Sequence, residues 1–261
     1  GTEEMTAIGY ALEQTDDGGL IIGGRIGPGR KIQNNTSSDA YLIKTDASGA
    51  ELWSQTYGGD YFDTGYSVQQ TADGGYILSG FTSESNENLT DRDMYVVKTD
   101  GIGNEEWSQT YGDADTREMG YSVQQTMDGG YIIGGTRDHW PPSLGDSDMI
   151  LVKTTEAGSE EWTQTFESEE GSEDSGYDVL QTADECYVLI GTTSNEEGSD
   201  AYVIKTCEDG TQPVSFFSPH SSERKLEKVV DVMGREVNPV PNQILFYIYT
   251  DGSVEQKFIW N

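Results

Sequence analysis

Positive charge and catalytic side chains are scarce in this chain. Its 261 residues hold 15 Lys and Arg against 47 Asp and Glu, a net charge of −32, with only two histidines. Nucleic acid and anionic membrane surfaces want clustered Lys and Arg, so both are excluded as partners. The excess of acid favours solubility in salty or cation-rich surroundings. No apolar stretch approaches the roughly 20 residues of a spanning helix; the most notable run is ILFYIY at 244–249. No Gly-rich phosphate loop precedes a helix, no cysteine pair has zinc spacing, and no serine-elbow motif occurs. Gly1 opens the chain without a signal peptide, as expected of a mature or trimmed form.

What is abundant is glycine, 32 residues, and bulky aromatics, with 15 Tyr and 5 Trp. They fall in a repeat. GYALEQTDDGGL (9–20), GYSVQQTADGGY (65–76), GYSVQQTMDGGY (120–131) and GYDVLQTADECY (176–187) recur at intervals of 55 or 56 residues. A period of that size marks stacked copies of one supersecondary unit. Each copy splits into four short runs rich in Tyr, Val, Ile and Thr, bounded by turn residues. In the second copy these are 65–71, 75–81, 93–99 and 105–112. They read as strands A to D, with Asp73-Gly74-Gly75 and 100–104 closing tight hairpins. The expected fold is all-β: a four-bladed β-propeller of four-stranded antiparallel blades, plus a short C-terminal β module. The propeller occupies 1–217, with repeats at about 8–63, 64–118, 119–174 and 175–217, and blade 4 finished by TQPVSFF at 211–217. The repeat count leaves ring closure open.

Landmarks keep register. Asp39, Asp93, Asp148 and Asp200 open strand C; Lys44, Lys98, Lys153 and Lys205 come near its end. The lysines are expected to pair with Asp17, Asp73, Asp128 and Asp184 of the A–B turns. Trp53, Trp107 and Trp162 are expected to pack between blades, with Val214 in the fourth copy. Cys186 and Cys207 fall at adjacent ends of strands B and C, within disulfide reach; the other reading is two free structural thiols.

The di-glycine strand end (Gly23-Gly24, Gly134-Gly135), the Asp-led strand C and the strand D Trp resemble the kelch pattern. TDASGAELW (45–53) resembles the tryptophan-docking repeat of quinoprotein-like propellers, one residue short. Over residues 8–217 the chain is most similar to uncharacterised bacterial and archaeal surface proteins. After Phe217 the composition changes: residues 218–261 carry a net charge of −1 against −31 before them. Residues 218–225 read as a linker. The stretch Val229–Val237, Phe246-Tyr247-Ile248, Asp251-Gly252 and the strand through Lys257 resemble the C-terminal sorting module of the bacterial type IX secretion system. That resemblance implies the secretion machinery as a partner and a secreted or cell-surface address; the alternative is a capping appendix that closes the ring.

Candidate chemistry gathers at one end. Arg25, Arg30, Lys31, Arg92, Arg117 and Arg137 are expected in B–C and D–A loops, the variable loops where binding usually resides. Trp140, before Pro141 and Pro142, offers a rigid aromatic beside Arg137 and His139. Arg with Trp suits a sugar, a peptide or a carboxylate; the alternative is scattered solubilising charge. Calcium is the one candidate cofactor, through Asp113, Asp115 and Glu118. The reading is a binding or adhesion propeller facing an extracellular glycan or protein ligand. No catalytic residue stands out, which speaks against an enzyme; a quinoprotein-like or glycan-cleaving propeller is the alternative, and a structural surface-matrix component a third.

Overall fold

The computed structural model describes residues 5–28, 37–83, 92–113, 116–139, 147–168, 171–195, 198–207, 214–217, 226–230, 235–238, 244–249 and 254–258. Every regular element among them is a strand. Blade 1 comprises β1 (Met5–Gln14), β2 (Leu20–Pro28), β3 (Asp39–Thr45) and β4 (Glu51–Tyr57). Blade 2 comprises β5 (Asp63–Gln70), β6 (Tyr76–Ser83), β7 (Arg92–Thr99) and β8 (Glu105–Tyr111). Blade 3 comprises β9 (Thr116–Gln125), β10 (Tyr131–His139), β11 (Ser147–Thr154) and β12 (Glu160–Phe166). Blade 4 comprises β13 (Glu173–Gln181), β14 (Tyr187–Asn195), β15 (Gly198–Thr206) and β16 (Val214–Phe217). Within each blade successive strands pair antiparallel. The fold is therefore all-β and propeller-like.

The A–B hairpins show why the repeat carries Asp-Gly. Gly18, Gly74 and Gly129 sit at φ 82°, 85° and 88°, where a Cβ is strained. The preceding aspartate locks each turn: Asp73 Oδ1 accepts from Thr71 Oγ1 and from Gly75 N at 2.9 Å. Blade 4 breaks the rule, with Glu185 at φ 63° in the glycine position.

Three cores form, one per blade junction. Ile21, Leu42 and Tyr57 of blade 1 meet Val68, Tyr76, Leu78 and Val97 of blade 2. Ile77, Met94 and Tyr111 of blade 2 meet Val123, Tyr131, Ile133 and Val152 of blade 3. Ile132, Met149 and Phe166 of blade 3 meet Val179, Tyr187, Leu189 and Ile204 of blade 4. The period-2 alternation of each strand thus serves two cores, one on either side of the sheet. The indoles lie at these junctions: Trp53 packs on Tyr76, Trp107 on Tyr131 and Trp162 on Tyr187, at 5.7, 5.7 and 5.6 Å between centroids. Each ring is half-buried and contributes about 1.5 kcal/mol, the low end for a large apolar side chain. Glycine in the C–D turn of the next blade admits the ring: a Cβ on Gly103 would lie 2.7 Å from Trp53, and one on Gly158 2.8 Å from Trp107. The equivalent Gly49 of blade 1 faces nothing within 4 Å.

That vacancy belongs to a larger asymmetry. Leu12, the counterpart of buried Val68, is 68 % exposed, and Tyr10, Ile8 and Met5 beside it are exposed too. On blade 4, Tyr177, Leu180 and Ile190 are exposed on the opposite end of the row. The outer faces of the first and last sheets are open, so the described residues form a row of four blades and do not close into a ring.

The C-terminal stretch holds β17 (Leu226–Val230), β18 (Ile244–Tyr249) and β19 (Val254–Phe258) in one antiparallel sheet, which among the described residues is separate from the sheets of the blades. The linker at 218–225 lies outside the described residues.

Candidate binding face

At the A–B turn end, each framework lysine reaches the turn aspartate. Lys44 meets Asp17 at 2.9 Å, Lys98 meets Asp73 at 2.8 Å, Lys153 meets Asp128 at 2.8 Å and Lys205 meets Asp184 at 2.6 Å. Lys98 and Lys153 also bind Glu106 and Glu161, and the first three lysines donate to the carbonyl of the next residue. Burial works against ionisation of Asp73 and Asp128, but hydrogen bonds from lysine, threonine and glycine outweigh it and hold both carboxyls at about 2. Asp184 is held at about 2 by Lys205 first and Thr182 second. Four copies of one pair is framework, not a site.

The disulfide explains the fourth copy. Cys186 and Cys207 are bonded, with Cα atoms 4.3 Å apart. Cys186 stands where the other blades have glycine. At Gly75 a Cβ would lie 2.7 Å from Lys98 Nζ and 2.1 Å from the Thr99 carbonyl oxygen. A side chain there is incompatible with the buried lysine clamp; accordingly Lys205 is 36 % exposed where Lys153 is 0 %. The covalent bridge takes over the joint between β14 and β15.

The other end carries the candidate binding residues. Arg25, Arg92, Arg117 and Arg137 lie on β2, β7, β9 and β10, not in loops as the repeat boundaries imply. The reason is that A, B and C strands run past the repeat and keep pairing there, Arg137 opposite Glu118 and Asp148. Three of the four arginines are engaged. Arg117 Nη2 binds Asp138 at 2.8 Å; Arg137 Nη2 binds Asp113 at 2.7 Å, and its Nε lies 3.3 Å from Glu118. The Arg92 guanidinium sits 4.5 Å over the Phe81 ring, a cation–π contact. Arg25 is half-buried on β2. Arg30, Lys31 and Trp140 lie outside the described residues, as does the side chain of His139, which ends β10.

Beneath the arginines lies a row of acids that the sequence does not flag. Asp63, Glu118 and Asp174 stand at or near the start of the A strands of blades 2, 3 and 4 and are all but fully buried. Each ties down the loop before it. Asp63 Oδ2 accepts from Gly59 N at 2.9 Å; Asp174 accepts from Ser168 N, Ser168 Oγ and Ser172 Oγ; Glu118 accepts from Thr116 Oγ1 at 2.6 Å. Burial pushes Asp63 up, and pushes Glu118 up to about 7. Asp93 stands beside Glu118: a Cβ on Gly112 would lie 2.3 Å from Asp93 Oδ1 and 2.9 Å from Glu118 Oε2. The signal was available in the order D/E-x-G-Y at 63, 118 and 174, where blade 1 has Ala7.

Calcium finds competition here. Asp113 and Glu118 both turn to Arg137, and Asp115 lies outside the described residues. Among the described residues no three acid, His or Cys side chains converge on one point. A shallow pocket exists at the far end, lined by Met127, Asp128, Gln181, Glu185 and Tyr187.

No protein-family model and no curated protein matches the chain. Solved structures with a similar strand layout include the endo-arabinase from Bacteroides thetaiotaomicron, 10 % identical, covering 96 % of this chain and 93 % of that one at a TM-score of 0.46. The β-fructofuranosidase of Bombyx mori is 12 % identical, covering 100 % of this chain and 75 % of that one, also at 0.46.

Proposed function

We propose that the protein is a secreted or cell-surface binding module. Its blades hold the loops of the arginine-bearing end against an extracellular glycan or peptide. The observation that carries this reading is the ion-paired base of the blade 3 loop. Arg137 with Asp113 and Glu118, and Arg117 with Asp138, fix β9 and β10 where the chain leaves toward Trp140. A loop on a fixed base loses little ordering entropy on contact. The disulfide fits an oxidising, extracytoplasmic compartment, and the C-terminal sheet fits delivery through type IX secretion. A glycan and peptide array tests the reading. The parent should bind at least one class, and Trp140→Ala should weaken it at least tenfold. An array on which the parent binds nothing removes the proposal.

One observation favours glycan cleavage as a second reading. Glu118, whose carboxyl burial pushes up to about 7, flanks the same point as Asp93, and paired carboxylates are the working parts of glycoside hydrolysis. Glu118 is 1 % exposed, which withholds it from substrate. Reducing-sugar release from a polysaccharide panel, abolished by Glu118→Gln, would move the assignment to the enzyme.

A further inference from the structure

The contacts that join one blade to the next form an unfinished series. Tyr66 stacks against Tyr10 and Tyr121, and Tyr121 against Tyr177, with centroids 5.2, 5.1 and 5.8 Å apart. The end rungs Tyr10 and Tyr177 are 46 % and 50 % exposed. Beside the rungs runs a reciprocal hydrogen-bond pair. Gln70, Gln125 and Gln181 accept from the backbone N–H of Asp16, Ala72 and Met127 of the blade before, each at 2.8 Å. Glu13, Gln69 and Gln124 accept in return from Gln70, Gln125 and Gln181 N at 2.6, 2.7 and 2.6 Å. Two halves are left over, at opposite ends of the row: the Gln14 carboxamide on blade 1 and the Ala183 N–H on blade 4.

The two end faces also hold most of the misplaced apolar surface. Of twelve large hydrophobic side chains exposed among the described residues, seven lie on three strands of the end blades: Met5, Ile8, Tyr10 and Leu12 on β1, and Tyr177, Leu180 and Ile190 on β13 and β14. A chain this acidic does not otherwise leave apolar side chains in rows. Blade 4 is modified where it would face a successor. Ile190 replaces the small residue of the other blades (Gly23, Ser79, Gly134), Leu180 replaces the Glu or Gln acceptor, and Val214 replaces the indole. Its outer face has thereby exchanged polar and indole contacts for aliphatic ones, and it is not a copy of the internal faces.

We propose that the outer face of blade 4 docks on the outer face of blade 1 of a second copy, head to tail. Tyr177 then meets Tyr10, and Leu180 and Ile190 cover Leu12; a Cβ on Gly134, the counterpart of Ile190, would already lie 2.8 Å from Leu189, so the sheets at this joint stand further apart than at the internal ones. A head-to-tail joint either closes or runs on into a filament. Two copies of four blades total eight, inside the range of about four to eight at which propeller rings close, so the product is a discrete dimer. Both copies are strongly negative, so salt strengthens the joint by screening their repulsion.

Sedimentation and light scattering of the full chain, at physiological and at about 1 M salt, test this. The parent should be a dimer, tighter at high salt. Leu12→Glu and Ile190→Glu should each raise the dissociation constant about 100-fold or more, since each buries an unpaired carboxylate at two equivalent joints. Circular dichroism should show both variants folded. A parent that stays monomeric at both salt concentrations overturns the proposal. So does a folded dimer of either variant with unchanged affinity; loss with Leu12→Glu alone would mean blade 1 meets blade 1.

Discussion

Position 185 shows how much one residue can cost a repeat. The turn that holds Gly18, Gly74 and Gly129 in blades 1 to 3 holds Glu185 at φ 63° in blade 4. A non-glycine residue in that region is strained by about 1 kcal/mol or more. Glu185→Gly should therefore raise the unfolding free energy by about 1 kcal/mol in a denaturant titration. The lysines offer a second comparison. Lys153 is fully buried and shared among Asp128, Glu161 and a carbonyl, so Lys153→Met should cost about 1–2 kcal/mol, discounted because both acids are half in water. Lys205→Met, at an exposed pair beside a disulfide, should cost little in the same titration. Protons act on these groups in opposite senses. Asp73, Asp128 and Asp184 sit at about 2, below the unfolded value near 3.9, so their contribution is complete above pH 4 and is lost as pH falls toward 2. Glu118 at about 7 lies above its unfolded value, so its contribution is greatest below about pH 4 and is lost as pH rises through 7. Stability measured against pH should peak between these limits, and Glu118→Gln should flatten the upper limb.

At the scale of the element, the unit of cohesion is the junction between two sheets. Strand A carries the rung tyrosine and the glutamine pair, strand D carries the indole, and the next blade's C–D turn carries the glycine that receives it. Trp107 is half-buried against its core, so Trp107→Ala should cost about 3 kcal/mol, the low end for an aromatic large-to-small change. Gly158→Ala should cost more than Gly49→Ala: both have positive φ, at 77° and 86°, but only Gly158 has an indole 2.8 Å from the new methyl group. Thermal melts of the two variants side by side read the difference directly. Blade 4 has no indole of its own and leans on Cys186–Cys207 instead. Closing a loop of 21 residues is worth about 3 kcal/mol on the chain-entropy account. Reduction should accordingly loosen blade 4 first, seen as faster amide exchange in β14 and β15 than in β10 and β11.

For the whole molecule, what was legible in the amino-acid sequence is what repeats. Strand order, the Asp-Gly hairpins, the Lys–Asp pairs and the placement of the indoles all follow from a period of 55 or 56 and from local turn chemistry. Cys186 and Cys207 were legible through the same register. The buried acids were legible only in register: the order D/E-x-G-Y marks Asp63, Glu118 and Asp174 as equivalent, but in so acidic a chain nothing marks them as buried. Only strand lengths beyond the repeat show that they face inward. For the same reason Arg117 and Arg137 read as loop residues free to bind, whereas they are committed to Asp138, Asp113 and Glu118. The ends of the row were equally hidden. Repetition in sequence says that blades stack, but whether the first meets the last depends on an accumulated rotation between sheets that no single repeat encodes.

By itself, then, the sequence determined the unit: four antiparallel strands, turned by glycine, clamped by lysine and wedged by tryptophan. These are contacts between residues within about one period of each other, and local pattern is enough to specify them. Only the tertiary structure decided which charges are spent on holding loops and which apolar faces remain uncovered. Burial is a property of neighbours brought together from different repeats, and a residue's identity does not say how many of them it will have.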